Sequence, residues 1–249
     1  MEKQFDCLVV GAGPAGSSAA RRLALNGRSV LILEKALMPR AKCCAGGLTP
    51  KVPRLLDFDL EPVVEQEVER GCFTYRNTRP RFPSTPPLGL KMVHRDRFDY
   101  LLVEQARAAG AEVWEGTTFW GLEIQRTGVE ARTTRGKIRA SVIVGADGAL
   151  SRVARMGGLW KERKSAIALV REIQLPQNRH DPYRTYVLFD FGEVPGGYRW
   201  IFPKGDRLSL GLFSISEKGK NLKLLLESFP QAEKLVGATE VLPLRGHPL

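Results

Sequence analysis

Three glycines near the start of the chain have the spacing of a phosphate-binding turn. Gly11, Gly13 and Gly16 form the pattern G-x-G-x-x-G. In such a turn the first glycine permits a tight bend, the second lets the backbone approach a pyrophosphate, and the third lets the following helix pack closely on the preceding strand. The anion then binds the free N–H groups at the helix N-terminus. The pattern therefore predicts a site for the pyrophosphate of a dinucleotide.

An acidic residue follows at the distance that suits a ribose-binding group. Glu34 lies 23 positions after Gly11 (34 minus 11), where a carboxylate can accept hydrogen bonds from ribose hydroxyls. An acidic residue at this point argues against recognition of a 2′-phosphate, so the residues favour FAD or NAD over NADP. The alternative is a glycine turn in an ordinary α/β protein, which leaves the position of Glu34 unexplained.

The elements that must position these residues form a βαβ unit. An apolar strand is predicted at 5–10, before the glycines, and a second strand at 29–33, before Glu34. Between them a helix is predicted to begin at Pro14, where a missing N–H is tolerated, and to end at Asn26-Gly27.

A second candidate binding edge follows a later strand. The apolar run Val142–Val144 suits a parallel strand buried on both faces, and Asp147-Gly148 comes shortly after it. Ligands bind beyond the carboxyl ends of such strands. An aspartate followed by glycine is also ordinary turn chemistry, but its place after the strand favours a binding role. The intervening chain predicts a helix from 96 to 110 and short strands at 112–114, 119–124, 129–134 and 137–139.

Two of the four cysteines are adjacent. Cys43 and Cys44 begin a run of small residues that ends at Pro50, and we predict a flexible loop outside the core there. Cys7 and Cys72 are isolated along the chain. This spacing matches no metal-binding pattern, so no metal is expected.

Aromatic residues alternate late in the chain. Tyr198, Trp200 and Phe202 are two positions apart, so in a strand all three point to one face. Such a face is either an apolar wall for a hydrophobic ligand or the side of a sheet that packs on the core, and the residues alone leave both open. Residues 204–207 predict a turn into an antiparallel neighbour at 208–214, and the spacing at 221–229 is helical.

Composition and charge limit the class of protein. The chain has 249 residues, 43% of them hydrophobic, and a net charge of +11 from 38 Lys+Arg and 27 Asp+Glu. Positive charge favours phosphorylated substrates or anionic membrane surfaces. The basic residues form no nucleic-acid-binding motif, so nucleic acid is not expected; a solvated surface around an anionic cofactor site accounts for much of the charge. No signal peptide or apolar run of about 18 residues is present, so we expect a cytoplasmic protein, compatible with peripheral membrane contact.

The ordered motifs together resemble those of a known family. They are, in chain order, Gly11-x-Gly13-x-x-Gly16, Glu34, Val93-x-Arg95-x-x-Phe98-Asp99 and Gly145-Ala146-Asp147-Gly148-x-x-Ser151. This set resembles the FAD-dependent oxidoreductases of the p-hydroxybenzoate hydroxylase fold. Residues 42–50 are similar to the K-x-C-G-G-G-L-[TS]-P loop of geranylgeranyl reductases, and residues 197–205 resemble their Y-x-W-x-F-P-K motif.

The resemblance assigns roles to individual residues. It implies that Cys44 is catalytic, lying close to the flavin and to the reducible double bond; Cys43 is then an extra thiol, and Ala45 replaces a glycine of the family loop. The residues implied to bind the cofactor are Gly11, Gly13, Ala15, Gly16, Glu34, Lys35, Lys42, Cys44, Ala45, Gly46, Arg95, Asp147 and Gly148. Those implied to bind substrate are Gly47, Tyr198, Trp200 and Phe202.

The family's reaction is the reduction of isoprenoid C=C bonds by hydride transfer from reduced FAD, with electrons from NAD(P)H or a ferredoxin-type donor. A thiol at position 44 could supply the proton to the carbon that does not receive hydride; the alternative is that Cys44 is a packing residue. Other hypotheses are a monooxygenase or halogenase on the same scaffold, or a non-catalytic FAD-binding remnant. The halogenase motif W-x-W-x-I-P has Trp and Ile where this chain has Tyr198 and Phe202.

The resemblance also predicts the architecture. We expect an α/β fold with a Rossmann-like FAD-binding domain, built on a parallel sheet from residues 1–70 and 90–160. Residues 71–89 and 161–249 are expected to form a substrate domain with an antiparallel sheet. Enzymes of this fold carry a third motif, a Gly-Asp between a late strand and a helix. The dipeptide Gly205-Asp206 lies in a predicted hairpin turn, so the chain is expected to end before that motif.

Overall fold

The computed structural model describes residues 4–83, 86–160, 166–175, 182–215 and 221–229, together with the backbone of 239–248. The contacts between Cα atoms divide the chain into two units, each built from two stretches of sequence. Unit 1 comprises residues 1–41 and 96–163, and unit 2 comprises residues 42–95 and 164–249.

The strands, in chain order, are β1 (Gln4–Val10), β2 (Val30–Leu33), β3 (Gly47–Leu48), β4 (Val64–Val68), β5 (Arg70–Tyr75), β6 (Thr78–Arg81), β7 (Leu90–Val93), β8 (Glu112–Trp114), β9 (Phe119–Gln125), β10 (Gly128–Thr133), β11 (Gly136–Gly145), β12 (Ile167–Gln174), β13 (Tyr186–Phe191), β14 (Gly197–Lys204), β15 (Arg207–Ser214) and β16 (Thr239–Pro248). The α-helices are α1 (Pro14–Leu25), α2 (Lys51–Leu55), α3 (Arg95–Ala108), α4 (Arg152–Met156) and α5 (Leu222–Glu227). Among the described residues, no helix is both long enough and apolar enough to cross a membrane.

Unit 1 contains a six-stranded sheet in the order β8-β2-β1-β11-β10-β9. The first four strands are parallel to one another, β10 is antiparallel to β11, and β9 is antiparallel to β10. The βαβ unit of β1, α1 and β2 agrees with the prediction. The expected parallel sheet is confirmed in the first four strands, and the hairpins β9–β10 and β10–β11 extend it with two antiparallel strands.

The centre of this sheet is buried on both faces. Leu8 and Leu31 belong to one apolar cluster, whereas Val9 and Ile32 belong to another. Neighbouring residues of a strand point to opposite faces, so apolar clusters cover both sides of β1 and β2.

Strand β11 differs from its prediction in two ways. The segments expected at 137–139 and 142–144 are one continuous strand of 10 residues. Val142 is 55% exposed, so the expected burial on both faces was wrong there. The reason is local, since β10 pairs with β11 only as far as Ala140, and beyond that point β11 has β1 on one side alone.

Unit 2 contains a seven-stranded sheet in the order β16-β12-β15-β14-β13-β5-β6 and a three-stranded sheet in the order β3-β7-β4. The pairs in the larger sheet are antiparallel, as expected, except that β13 and β5 run parallel. The predicted turn between β14 and β15 is present, and its glycine, Gly205, has a φ of +62°.

The boundaries of the units differ from the predicted domain boundaries. Residues 42–70 and 90–95, which we assigned to the FAD-binding domain, lie in unit 2. The small sheet explains the difference, because β7 pairs with both β3 and β4. The roles of the two units as cofactor and substrate domains stay predictions.

Candidate functional site

In unit 1, Gly11 has the backbone that a tight bend requires. Its φ is +102°, a region that strongly favours glycine. A Cβ atom at this position would lie 2.3 Å from the carbonyl oxygen of Ala146. The Ala146 N–H donates to the Val10 carbonyl at 2.8 Å, so the turns after β1 and β11 are held against each other. Gly11 is therefore required both by its conformation and by this close approach.

The second requirement concerns Gly16 in α1. A Cβ atom there would lie 1.9 Å from the carbonyl oxygen of Gly11. Only glycine lets the first turn of α1 lie this close to the end of β1. The predicted reason for a glycine at position 16 is confirmed.

Gly13 differs from both, because the protein leaves the space beside it open. The nearest heavy atom to a Cβ at this position is Nη2 of Arg40, at 3.6 Å. Gly13 is the N-cap of α1, no side chain caps the helix there, and Pro14 follows. The open space and the uncapped helix N-terminus, which includes the predicted residue Ala15, fit a pyrophosphate group. On this observation the residues fit a dinucleotide such as FAD.

Glu34 lies beside this turn and is 4% exposed. Its Oε2 accepts a hydrogen bond from the Ala12 N–H at 3.0 Å, and its Oε1 accepts one from the Ala36 N–H at 3.1 Å. The carboxylate is thus fixed at the end of β2 next to the glycine turn. Lys35, predicted to bind the cofactor, is exposed.

Arg40 is a site residue that the sequence analysis missed. Its Nε lies 3.4 Å from Oε2 of Glu34, and its Nη1 lies 3.2 Å from Oδ2 of Asp99, which is fully buried. The guanidinium therefore links β2 to α3 beside Gly13. The sequence offered one hint, because Asp99 belongs to a family motif without having an assigned role.

Asp147 uses its side chain within the protein. Its carboxylate accepts hydrogen bonds from the Ser151 hydroxyl at 2.5 Å and from the N–H groups of Arg152 and Val153 at 2.6 and 3.2 Å. It therefore caps the N-terminus of α4. Gly148 has a φ of +86° and forms the turn between them. A contact of residues 147 and 148 with the cofactor stays a prediction.

In unit 2, Cys44 lies in a loop whose shape depends on Gly46. The φ of Gly46 is +84°, and a Cβ atom there would lie 2.2 Å from the carbonyl oxygen of Val93. The Val93 N–H donates to the Gly46 carbonyl at 2.9 Å, and the Gly46 N–H donates to Sγ of Cys44 at 3.4 Å. Gly47 then begins β3. The expectation of a flexible loop outside the core was wrong, because backbone pairing with β7 holds this segment.

The two adjacent cysteines have different surroundings. Cys43 and Ala45 pack against an apolar cluster that includes Trp200 and Phe202, and the Cys43 Sγ lies 3.8 Å from the Ala168 carbonyl oxygen. Cys44 is half-buried. The structure thus gives Cys43 a packing role and leaves Cys44 as the candidate for chemistry.

The three alternating aromatic residues share one face, as predicted, but not one degree of exposure. Trp200 and Phe202 are 5% and 7% exposed, which favours the core alternative for these two. Tyr198 is half-buried, and its ring lies 6.1 Å from that of Trp200. Burial raises the pKa of the Tyr198 hydroxyl, and negative charge on the Cys44 thiol raises it further. Tyr198 is therefore the most accessible member of the set.

The remaining predicted residues also lie in unit 2. Gly47 packs on Phe202, since a Cβ atom there would lie 3.2 Å from the Phe202 ring. Lys42 and Arg95 are half-buried, and Arg95 is the first residue of α3. The structure thus groups the predicted residues into two sets, the glycine turn of unit 1 and the cysteine loop of unit 2.

Comparison with known proteins shows the family of the chain that carries both the glycine turn and the cysteine loop. The FAD binding domain family matches residues 4–185. Digeranylgeranylglycerophospholipid reductase 1 of Methanopyrus kandleri is 34% identical over 266 residues, covering 99% of this chain and 68% of the relative. The crystal structure of a geranylgeranyl bacteriochlorophyll reductase-like protein from Thermoplasma acidophilum superposes with a TM-score of 0.84 at 26% identity, covering 99% of this chain and 66% of that one.

A solved halogenase is similar as well. The myxobacterial chondrochloren halogenase has a TM-score of 0.77 at 24% identity, covering 98% of this chain and 64% of that one. A likeness at this level of identity shows the fold. The chain spans about two-thirds of the length of each of these three proteins.

Proposed function

Because the chain belongs to the FAD binding domain family, and within it to the geranylgeranyl reductases, we propose that it reduces C=C bonds of an isoprenoid lipid with FAD as cofactor. The observation that carries the proposal is that the glycine turn occurs in the same chain as the Cys44 loop. The first suits a dinucleotide, whereas the second holds a half-buried thiol in a loop that the Gly46–Val93 backbone pairing fixes.

Unit 1 is proposed to hold the dinucleotide part of FAD. The pyrophosphate would occupy the open space at Gly13, at the N-terminus of α1, and Glu34 would lie near the adenosine ribose. Arg40 adds positive charge next to Gly13, because its Nη2 lies 3.6 Å from the position of a Cβ atom at that glycine. When bound, FAD supplies the hydride for the reaction.

Cys44 is proposed to supply the proton. Reduction of a C=C bond adds a hydride to one carbon and a proton to the other, and a positioned thiol can act as the general acid. The Gly46 N–H holds the sulfur in place at 3.4 Å. Tyr198 keeps its own proton, because burial raises the pKa of its hydroxyl, and its ring forms an apolar side for the isoprenoid chain.

The substrate is proposed to be an isoprenoid lipid with a phosphorylated head group. The relatives named for this activity act on digeranylgeranylglycerophospholipids, and the net charge of +11 suits an anionic head. Electrons would come from NAD(P)H or a ferredoxin-type donor. Peripheral contact with a membrane and a cytoplasmic location stay predictions.

The alternative reactions, those of a monooxygenase or a halogenase, have less support. Tyr198 and Phe202 stand where the halogenase motif has Trp and Ile, and the likeness to halogenases shows the fold alone. A non-catalytic FAD-binding remnant stays an alternative, which the reaction itself can exclude.

The test is an anaerobic single turnover. The FAD-loaded chain is reduced chemically and mixed with a digeranylgeranyl phospholipid, while flavin absorbance and lipid mass are followed. We expect flavin oxidation together with a mass gain of two hydrogens per reduced bond. Unchanged flavin absorbance and lipid mass under these conditions, followed by rapid flavin oxidation once oxygen is admitted, would contradict the proposal and favour a monooxygenase or halogenase.

Variants of the two adjacent cysteines test the proton donor. Cys44→Ala should slow lipid reduction by about 100-fold, the usual size of a general-acid contribution, while leaving flavin reduction by the donor nearly unchanged. Cys43→Ala is the matched control, because Cys43 packs against the core, and it should affect neither step selectively. Equal slowing of both steps by Cys44→Ala would leave Cys44 a packing residue.

A further inference from the structure

A buried group of charged side chains lies under the Cys44 loop in unit 2. Lys204, at the end of β14, is 1% exposed and forms an ion pair with Oε1 of Glu172 on β12, whose side chain is 5% exposed. Oε2 of Glu172 lies 3.6 Å from Nδ1 of His94 and 3.8 Å from Nη1 of Arg207. In the sequence, Lys204 is part of a predicted turn and of a motif that resembles one of the family's.

Lys204 also contacts the loop directly. Its Nζ lies 3.4 Å from the carbonyl oxygen of Cys44 and donates a hydrogen bond to it. The side chain passes along Gly46, because a Cβ atom at that residue would lie 2.8 Å from Cε and 3.1 Å from Nζ of Lys204. One ammonium group therefore joins the buried carboxylate of β12 to the backbone of the candidate catalytic residue.

The buried Lys204–Glu172 ion pair is not expected to contribute much to the free energy of unfolding. A buried ion pair seldom stabilises a fold more than apolar residues of the same size, because both charges lose their hydration. A lysine can donate three hydrogen bonds, so an ammonium fixed by Glu172 can still orient a second acceptor. A hydrogen bond from a charged donor is also stronger than one between neutral groups.

We propose that Lys204, fixed by Glu172, is a positioning residue that holds the backbone of Cys44 so that its thiol stays in one orientation. The Lys204 ammonium donates a hydrogen bond to the carbonyl oxygen of Cys44, and the Gly46 N–H donates one to the Cys44 sulfur. The inference rests on the proposed function only in giving that thiol a chemical role. The positioning itself is independent of the reaction.

The test measures the alkylation rate of individual cysteines by iodoacetamide in the intact 249-residue chain, with peptide mass spectrometry. Lys204→Met removes the donor but leaves the buried Glu172 carboxylate with only its longer contacts to His94 and Arg207. Lys204→Met/Glu172→Met removes both charges and keeps similar volumes, so its fold is expected to persist. Cys72 serves as an internal monitor, because it lies in the same unit and is 2% exposed, so its alkylation reports opening of the unit.

In the double variant Cys44 should be alkylated about tenfold faster than in the parent, the factor that corresponds to about 1.4 kcal/mol, with Cys72 unchanged. Lys137→Met is the matched control, since it breaks another lysine–glutamate pair in unit 1 and should leave Cys44 at the parental rate. Two results overturn the proposal: Cys44 reacting at the parental rate in the double variant, or Cys44 and Cys72 accelerating together there. Failure of lipid reduction in the parent would count against the proposed function alone.

Discussion

Gly46 shows how much of the site depends on a single residue. Its φ of +84° and the Val93 carbonyl oxygen, 2.2 Å from a Cβ atom, exclude any side chain. The resemblance to the family predicts a glycine at position 46. The structure shows two separate reasons for it, the positive φ and the close Val93 carbonyl oxygen. The same loop carries Ala45, which replaces a family glycine and packs on the apolar cluster of unit 2 without strain.

Gly46→Ala should lower the free energy of unfolding by about 3 kcal/mol or more, because a positive φ and a backbone clash act together. Gly27→Ala is the matched control. Gly27 has a φ of +73°, but nothing lies within 4 Å of its Cβ position, so it should cost only about 1 kcal/mol. Urea unfolding of the two variants measures the difference, and equal losses would refute the clash.

His94 should make stability depend on pH. Burial lowers its pKa below the ordinary value, and the positive charge of Lys204 lowers it further; Glu172 and Glu65 act in the opposite direction, whereas Arg207 lowers it again. Below about pH 6.5 the unfolded state binds a proton that the folded state does not bind. The free energy of unfolding should therefore fall as the pH drops from 7.5 to the folded pKa.

Urea unfolding of the parent and of His94→Gln at pH 7.5 and 5.5 checks this sign. The variant should lose less stability than the parent over that interval, since glutamine does not titrate. A loss as large in the variant as in the parent would assign the dependence to other groups.

At the scale of elements, two side chains cap the N-terminus of α4. Ser151 is the N-cap residue and accepts a hydrogen bond from the Ala154 N–H at 2.9 Å. Asp147 accepts two backbone hydrogen bonds and one from Ser151, so it caps a helix of only five residues. This capping gives the acid at 147 and the hydroxyl at 151 a role within the protein itself.

Asp147→Ala should lower the free energy of unfolding by about 1–2 kcal/mol, the range for loss of a helix cap. Asp59→Ala is the matched control, because Asp59 accepts one hydrogen bond from the Glu61 N–H at an exposed turn, and it should cost about 0.5 kcal/mol or less. Thermal unfolding compares them. Equal small effects would mean that the hydrogen bonds to the Asp147 carboxylate contribute little to stability.

The sequence predicted elements whose signals are local. The β1-α1-β2 unit, α3 and the β14-β15 hairpin follow from periodicity, capping and turn residues near each other in the chain. Features that depend on distant segments could not be predicted from the sequence. These are the parallel pairing of β13 with β5, the continuity of β11, and the placement of residues 42–70 in unit 2. Such pairings depend on the register between strands far apart in sequence, which no local pattern encodes.

The same limit explains the candidate site. Gly16 was predicted with its reason, because it acts on Gly11 only a few residues away. For Gly11 the tight bend was predicted, but its close approach to Ala146, 135 positions later (146 minus 11), was not. Arg40 bonding to Asp99, and Lys204 to Glu172, are ion pairs between segments 59 and 32 positions apart, counted from the residue numbers. In a chain of net charge +11, the sequence does not show which lysine or arginine side chains are buried and paired with a carboxylate.

At the scale of the whole molecule, two units share one chain that crosses between them. The family and the fold are shared with reductases of geranylgeranyl lipids, and the chain spans about two-thirds of the length of those relatives. The account therefore depends on whether these 249 residues bind FAD through the glycine turn.

The most direct test is titration of the purified chain with FAD, followed by flavin absorbance and fluorescence, in the parent and in Gly13→Val. Apart from its chain neighbours, the nearest heavy atom of the described residues to a Cβ at position 13 is Nη2 of Arg40, at 3.6 Å. Valine should therefore preserve the fold, as a thermal unfolding curve will show, while filling the space for the pyrophosphate. We predict saturable binding with a shifted flavin spectrum in the parent and at least about 100-fold weaker binding in the variant, since the backbone can no longer approach the phosphates. A parent that binds no FAD, or a folded Gly13→Val chain that binds it equally well, would contradict the account.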